Sequence, residues 1–147
     1  MIFDLDNLFS ITNMNQKDII QKYPLLFARY YLPMTHTCMC WGLQIGEGWY
    51  PIIDDLCSKI QNLIDKNIIK EFEFDEIKEK YGSLRINSYK RCKEAEKLIE
   101  EAKLKASTTC EACSKTIIYY YDSGDDNSSN EQENNNNDYS VLCNDCK

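Results

Sequence analysis

Cys110-Glu-Ala-Cys113 and Cys143-Asn-Asp-Cys146, two Cys-x-x-Cys pairs near the end of the chain, decide how this sequence folds. Two residues between cysteines let the backbone curl into a tight knuckle whose amides point back at the sulfurs. Two such knuckles supply the four thiolates of a tetrahedral metal. The pattern predicts a structural Zn2+ held by Cys110, Cys113, Cys143 and Cys146. Four protein ligands leave no open coordination position, so the ion is expected to hold the fold together rather than perform chemistry. A redox Cys-x-x-Cys would want a thioredoxin-like strand and helix around a single pair, and an iron–sulfur centre is the other four-thiolate option. Neither accounts for two pairs as well as zinc does.

The rest of the chain sets bounds on this reading. With 147 residues and 43% apolar content there is room for one domain and a small metal-stapled lobe. Asp4 and Asp6 stand where a signal peptide needs lysine or arginine, and no apolar run approaches the roughly 20 residues of a membrane span. An intracellular protein is therefore expected, cytoplasmic or, if viral, in the host cytoplasm. Eight cysteines in such a chain argue for thiols and metal rather than disulfides. Net charge is −7, from 17 basic and 24 acidic residues, and most of it falls in residues 122–147, where seven acids face Lys147 alone. That balance disfavours generic nucleic-acid and anionic-membrane binding, both of which need clustered Lys and Arg.

Composition and periodicity divide the chain into an α+β body, 1–107, and a zinc-binding lobe, 108–147. The lobe carries an Asn/Asp/Ser-rich insertion at 123–138 that has nothing to bury and is expected to be disordered. It is read as a solvated extension of the loop joining two short strands, Thr116 to Asp122 and Tyr139 to Leu142. In the body, Ile52, Ile53, Leu56, Cys57, Ile60, Leu63 and Ile64 recur at spacings of three and four, which predicts a helix over 51–66 with Pro51 in its first turn. A narrower stripe, Cys92, Ala95, Ile99 and Ala102, predicts a second helix over 89–107 that delivers the chain to Cys110. Cys57 and Cys92 sit in these stripes and are read as core residues.

Between the two helices, 68–89 reads as a β-hairpin. Phe72 and Phe74 alternate with charged neighbours, Ile77 shifts the parity and places a bulge near Asp75, and Tyr81-Gly82 supplies the turn. Asn15 with Asp18 predicts a capped short helix, Gln16 to Lys22, stopped by Tyr23-Pro24.

Three further stretches invite a functional reading. His36-Thr-Cys38-Met-Cys40 places a histidine beside two cysteines, which suits packing, with a second metal or an imidazole-activated thiol as sharper alternatives. Trp41-Gly-Leu-Gln-Ile-Gly-Glu-Gly-Trp-Tyr50 lacks both the Gly-Lys-Ser/Thr ending of a P-loop and the Rossmann spacing. It is expected to form a tight turn whose aromatics cap the core, the alternative being a ligand groove rimmed by Trp41, Glu47 and Trp49. Lys78, Lys80, Arg85, Lys90, Arg91 and Lys93, with Tyr81 and Tyr89 between them, form the local excess of positive charge. They are read as solvated surface, or else as a nucleic-acid platform.

The runs Trp41-Gly-Leu-Gln-Ile-Gly-Glu-Gly-Trp-Tyr-Pro-Ile-Ile-Asp-Asp-Leu-Cys57 and Ile77-Lys-Glu-Lys-Tyr-Gly-Ser-Leu-Arg-Ile86, followed by the two cysteine knuckles, resemble a group of small uncharacterised proteins of bacteriophages, bacteria and large DNA viruses. The likeness covers roughly residues 40 to 146 in the same order. This chain differs in having Glu47 where the group usually has aspartate, Tyr81 in place of phenylalanine, and the asparagine-rich insertion. The resemblance implies the two knuckles and no particular activity.

Taken together, the residues predict an α+β fold, a hairpin packed with two main helices, joined to a zinc-ribbon or treble-clef-like four-cysteine lobe. The expected role is a non-catalytic protein-interaction module. A nucleic-acid-binding accessory protein comes second, and an enzyme using His36, Cys38, Cys40 or Glu47 third.

Overall fold

A computed structural model of the protein describes residues 14–117 and 141–146. The first helix among the described residues, α1 (Gln16–Lys22), begins with the capping box expected: the Asn15 side chain accepts from the Asp18 amide at 3.1 Å, and the Asp18 carboxylate accepts from the Asn15 amide at 3.3 Å. The chain then makes two short 3-10 turns, Ala28–Tyr31 and Met39–Trp41, a two-residue strand β1 (Leu43–Gln44), and a third turn, Glu47–Trp49, that runs directly into α2 (Tyr50–Asp65). Strands β2 (Phe74–Lys80) and β3 (Ser83–Ser88) form the hairpin, and α3 (Lys93–Ser107) leads to the first knuckle. The fold is α+β and, among the described residues, has two main helices, a three-stranded sheet in the order β1-β2-β3, and a C-terminal four-cysteine cluster of zinc-ribbon-like form.

Residue chemistry accounts for the boundaries. Pro51 lies in the first turn of α2, where no intrahelical N–H is needed. The helix ends in a Schellman motif: Asn67 adopts φ +56°, and the amides of Asn67 and Ile68 reach back to the carbonyls of Ile64 and Leu63. Tyr81 and Gly82, at φ +52° and +76°, are the two central residues of the hairpin turn. Two left-handed residues give that turn the twist of the flanking strands. The register shift falls between Phe74 and Glu76, which makes Asp75 the bulged residue as the parity change required.

Two elements depart from expectation. Residues 68–73 are not strand; Ile69 and Phe72 are buried from an irregular run that follows the Schellman turn. The second main helix begins at Lys93 rather than at 89, because Cys92 is extended (φ −140°, ψ 110°) and Ser88 binds the Lys90 carbonyl in a local turn. Cys92 consequently packs against the core only in part, whereas Cys57 is fully buried.

The core lies between one face of the sheet and helices α2 and α3. It is built from Phe74, Ile77, Leu84 and Ile86 of the sheet, Ile53, Leu56 and Ile60 of α2, and Ala95, Ile99 and Ala102 of α3. Small residues on α3 let it lie close to both α2 and β3. Phe27 and Phe72 pack on Phe74 at ring-centroid distances of 5.2 and 4.9 Å. No helix among the described residues is long and apolar enough to cross a membrane.

Candidate metal centre

The first knuckle is built at the exit of α3. Thr109 pairs with Thr116 in an antiparallel bridge, and the amides of Cys110 and Ile117 donate to the carbonyls of Lys115 and Thr108 at 2.7 and 2.6 Å. Ser114, at φ +67°, turns the chain so that its amide returns to the Cys110 carbonyl at 3.0 Å. In the second knuckle the Cys146 amide donates to the Cys143 carbonyl, also at 3.0 Å. The two are stitched together by Glu111 N–H to the Val141 carbonyl at 2.8 Å and by a Lys115–Asp145 ion pair at 2.7 Å. Strand residues 118–122 and 139–140, and the insertion at 123–138, lie outside the described residues.

This arrangement brings Cys110, Cys113, Cys143 and Cys146 together, with their four sulfurs all within 4.8 Å of one another. Cys113 and Cys143 approach to 3.5 Å across the knuckles. Tetrahedral metal–thiolate bonds of about 2.3 Å place sulfurs about 3.8 Å apart, so the cluster has the size of a four-thiolate metal site. The donor set suits a soft tetrahedral ion.

Electrostatics distinguishes Cys110, Cys113 and Cys146. Cys110 is fully buried, which by itself would raise its pKa. The amides of Cys143, Cys113 and Ala112 directed at its sulfur outweigh burial and bring the pKa down to about 6. The Cys143 amide lies 3.3 Å from that sulfur. Cys146 is pushed up to about 12 by the neighbouring sulfurs of Cys143 and Cys113 and by burial. Cys113 is also raised: the Lys115 amide lowers it, but burial and the sulfurs of Cys143 and Cys110 prevail. A cation bound at the centre would supply the positive charge that favours the thiolate forms there.

The glycine-rich segment supports this lobe from below. Gly48 N–H donates to the Glu111 carbonyl at 2.6 Å, Gly46 N–H to the Glu111 carboxylate at 3.1 Å, and Ser114 Oγ–H to the Gly48 carbonyl at 2.6 Å. A Cβ at Gly48 would run into the backbone of Cys110 and Glu111, and one at Gly46 into Glu111. Close backbone approach is the reason for both glycines. Trp49 is fully buried, and its indole N–H donates to the Thr109 carbonyl at 2.9 Å. Trp41 is 60% exposed. Of the two tryptophans only Trp49 caps the core, and a ligand groove rimmed by Trp41, Glu47 and Trp49 does not form, because Trp49 is inside.

The other sequence candidates do not assemble. Among the described residues the four cysteines are the one group of three or more potential ligands whose donor atoms converge. His36 and Cys38 are exposed, and the Cys40 thiol is 3.4 Å from the Thr37 carbonyl. Cys38 caps the 3-10 turn that contains Cys40. Lys78, Lys90 and Arg91 are ion-paired with Glu76, Glu71 and Glu96, which removes much of the charge excess read there.

Sequence reasoning missed a buried polar network. Arg29 donates to Asp75 at 3.1 Å and to the His36 carbonyl at 2.7 Å, and its guanidinium lies 3.8 Å over the Tyr89 ring. Thr37 Oγ–H adds a 2.7 Å bond to Asp75. The bulge at Asp75 was the available signal, since bulges re-aim a side chain. No protein-family model, curated protein or solved structure matches the chain.

Proposed function

We propose that this chain is a zinc-stabilised, non-catalytic module that acts by binding another protein inside the cell, and that it belongs with the phage, bacterial and large-DNA-virus group whose motifs it resembles. The observation that carries the reading is the convergence of four thiols from two knuckles. Four thiolates complete a zinc shell, and a complete shell has no position for substrate or for an activated water. Zinc is favoured over iron because two Cys-x-x-Cys knuckles on a hairpin are its usual structural cage.

The roles of the shared motif residues support the grouping. Gly46 and Gly48 admit the Glu111 backbone, Trp49 fills the core, Tyr81-Gly82 makes the hairpin turn, and Leu84 is buried. These are demands of the fold rather than of a reaction. The segment from Leu25 to Trp41 adds a reason to expect a protein partner. It exposes Tyr31, Met34 and Trp41, residue types that anchor protein interfaces.

The test is metal analysis joined to capture. Purified protein should carry one zinc per chain, and the zinc-loaded chain on a column should retain a protein partner that the metal-free chain does not. Absence of stoichiometric zinc, or retention of nucleic acid in place of protein, would contradict the reading.

A further inference from the structure

Building on the zinc reading above, we propose that Cys113 is a peroxide-reactive thiol and Cys143 its resolving partner, so that oxidation of this pair unloads the metal centre. Exposure singles out the point of attack. Cys113 is exposed, Cys143 and Cys146 are half-buried, and Cys110 is fully buried with the Cys143 amide directed at its sulfur at 3.3 Å. An oxidant arriving from solvent meets Cys113 first. The Cys143 sulfur lies 3.5 Å away on the other knuckle. A disulfide needs the two sulfurs at about 2.0 Å, an approach of only about 1.5 Å.

Contacts between the knuckles keep that approach available. Glu111 N–H to the Val141 carbonyl at 2.8 Å and the Lys115–Asp145 pair at 2.7 Å hold the knuckles side by side without any metal–sulfur bond. Cys113 and Cys143 therefore stay neighbours when one of them ceases to be a metal ligand. The remaining cysteines lack this arrangement. Cys57 is fully buried, the Cys92 sulfur faces the Glu94 carboxylate at 3.6 Å, and Cys38 and Cys40 belong to no converging group of three or more donors among the described residues.

The chemistry balances with hydrogen peroxide as the oxidant. The Cys113 thiolate attacks one peroxide oxygen: an S–O bond forms, the O–O bond breaks and hydroxide leaves, which gives a sulfenic acid. The Cys143 thiolate then attacks that sulfur, so that an S–S bond forms, the S–O bond breaks and a second hydroxide leaves. Two protons from solvent turn both hydroxides into water. The two thiolates have lost two electrons and the peroxide has gained them. Cys110 and Cys146 alone no longer close a tetrahedral shell. Thr109, which accepts the Trp49 indole N–H, stands next to Cys110, so Trp49 is placed to report the change.

Peroxide titration of the zinc-loaded protein, followed with a chromophoric zinc indicator and by peptide mapping, tests the assignment. A small excess of peroxide should release about one zinc for each Cys113–Cys143 disulfide formed and move the Trp49 emission to the red, and a dithiol reductant with added zinc should reverse both. Cys38→Ser removes an exposed thiol outside the cluster and should leave the response unchanged. Zinc retained under excess peroxide would overturn the inference. A disulfide confined to Cys110–Cys113 or Cys143–Cys146, or loss of the response in Cys38→Ser, would overturn it equally. Protein that carries no zinc before peroxide is added fails the zinc reading instead, and the disulfide map of its four thiols still decides whether Cys113 and Cys143 are the reacting pair.

Discussion

The backbone carbonyl of Glu111 accepts the amide of Gly48 at 2.6 Å, so the residue that follows the first cysteine of the metal cluster is fastened to the turn that starts α2. The Glu111 amide points the other way, to Val141 beside the second knuckle. One residue thus joins both knuckles to the body. The four-cysteine cluster and the body are thereby coupled, because the segment that positions Cys110 also positions Trp49.

Gly48→Ala tests that contact. The added methyl would collide with backbone at Cys110 and Glu111, neither of which is a flexible side-chain end. Expected destabilisation is about 2–4 kcal/mol, measured by denaturant unfolding of the metal-loaded protein. Gln44→Ala, on an exposed site of β1, should cost well under about 1 kcal/mol.

Trp49→Phe removes the indole N–H from the part-buried Thr109 carbonyl while keeping an aromatic ring in the core. A loss of about 2–3 kcal/mol is expected, combining an unsatisfied acceptor with a partial cavity. Tryptophan fluorescence should report the same linkage in the wild type. Chelation of the metal should shift the buried Trp49 emission to the red, while the exposed Trp41 is already solvated and changes little.

Metal affinity should fall as pH falls. Only thiolates bind, and in the metal-free protein Cys146, pushed up to about 12, and Cys113, raised above the ordinary thiol value, both carry protons near neutrality. Binding must expel those protons, so the association constant should drop by at least about a hundredfold for each pH unit lost around pH 7. Cys110, brought down to about 6, is already ionised there and adds to the slope only below about pH 6. Competition titration against a chromophoric chelator at several pH values measures this directly. A pH-independent affinity would contradict it.

Asp75→Ala should leave the Arg29 guanidinium buried with one fewer partner, at a cost of about 2–3 kcal/mol. Asp75 is itself about a third exposed, so water replaces part of what is lost. Arg29→Met combined with Asp75→Ala should cost less than the sum of the single changes. A double-mutant cycle read by thermal unfolding measures the coupling.

Legibility in the sequence followed the range of the forces involved. The capping box at Asn15 and Asp18, the α2 stripe, the Tyr81-Gly82 turn and the bulge at Asp75 are local signals, each decided by a few neighbouring residues. The four cysteines were legible because metal geometry fixes their spacing. The start of α3 was misplaced because Cys92 has the right interval for the stripe yet lies in an extended conformation set by the turn at Ser88. β1 is two residues long and exists only by parallel pairing with Ile77 and Lys78, a contact across the fold that periodicity does not encode. Trp41 and Trp49 share a glycine-rich context, and only the docking on Glu111 and Thr109 sends one inside and leaves the other out.

The central claim is a closed four-sulfur cage, and X-ray absorption at the zinc edge of the purified protein tests it most directly. One zinc per chain with four sulfur scatterers at about 2.3 Å is the result expected. Nitrogen or oxygen in the first shell, or no stoichiometric zinc at all, would contradict it.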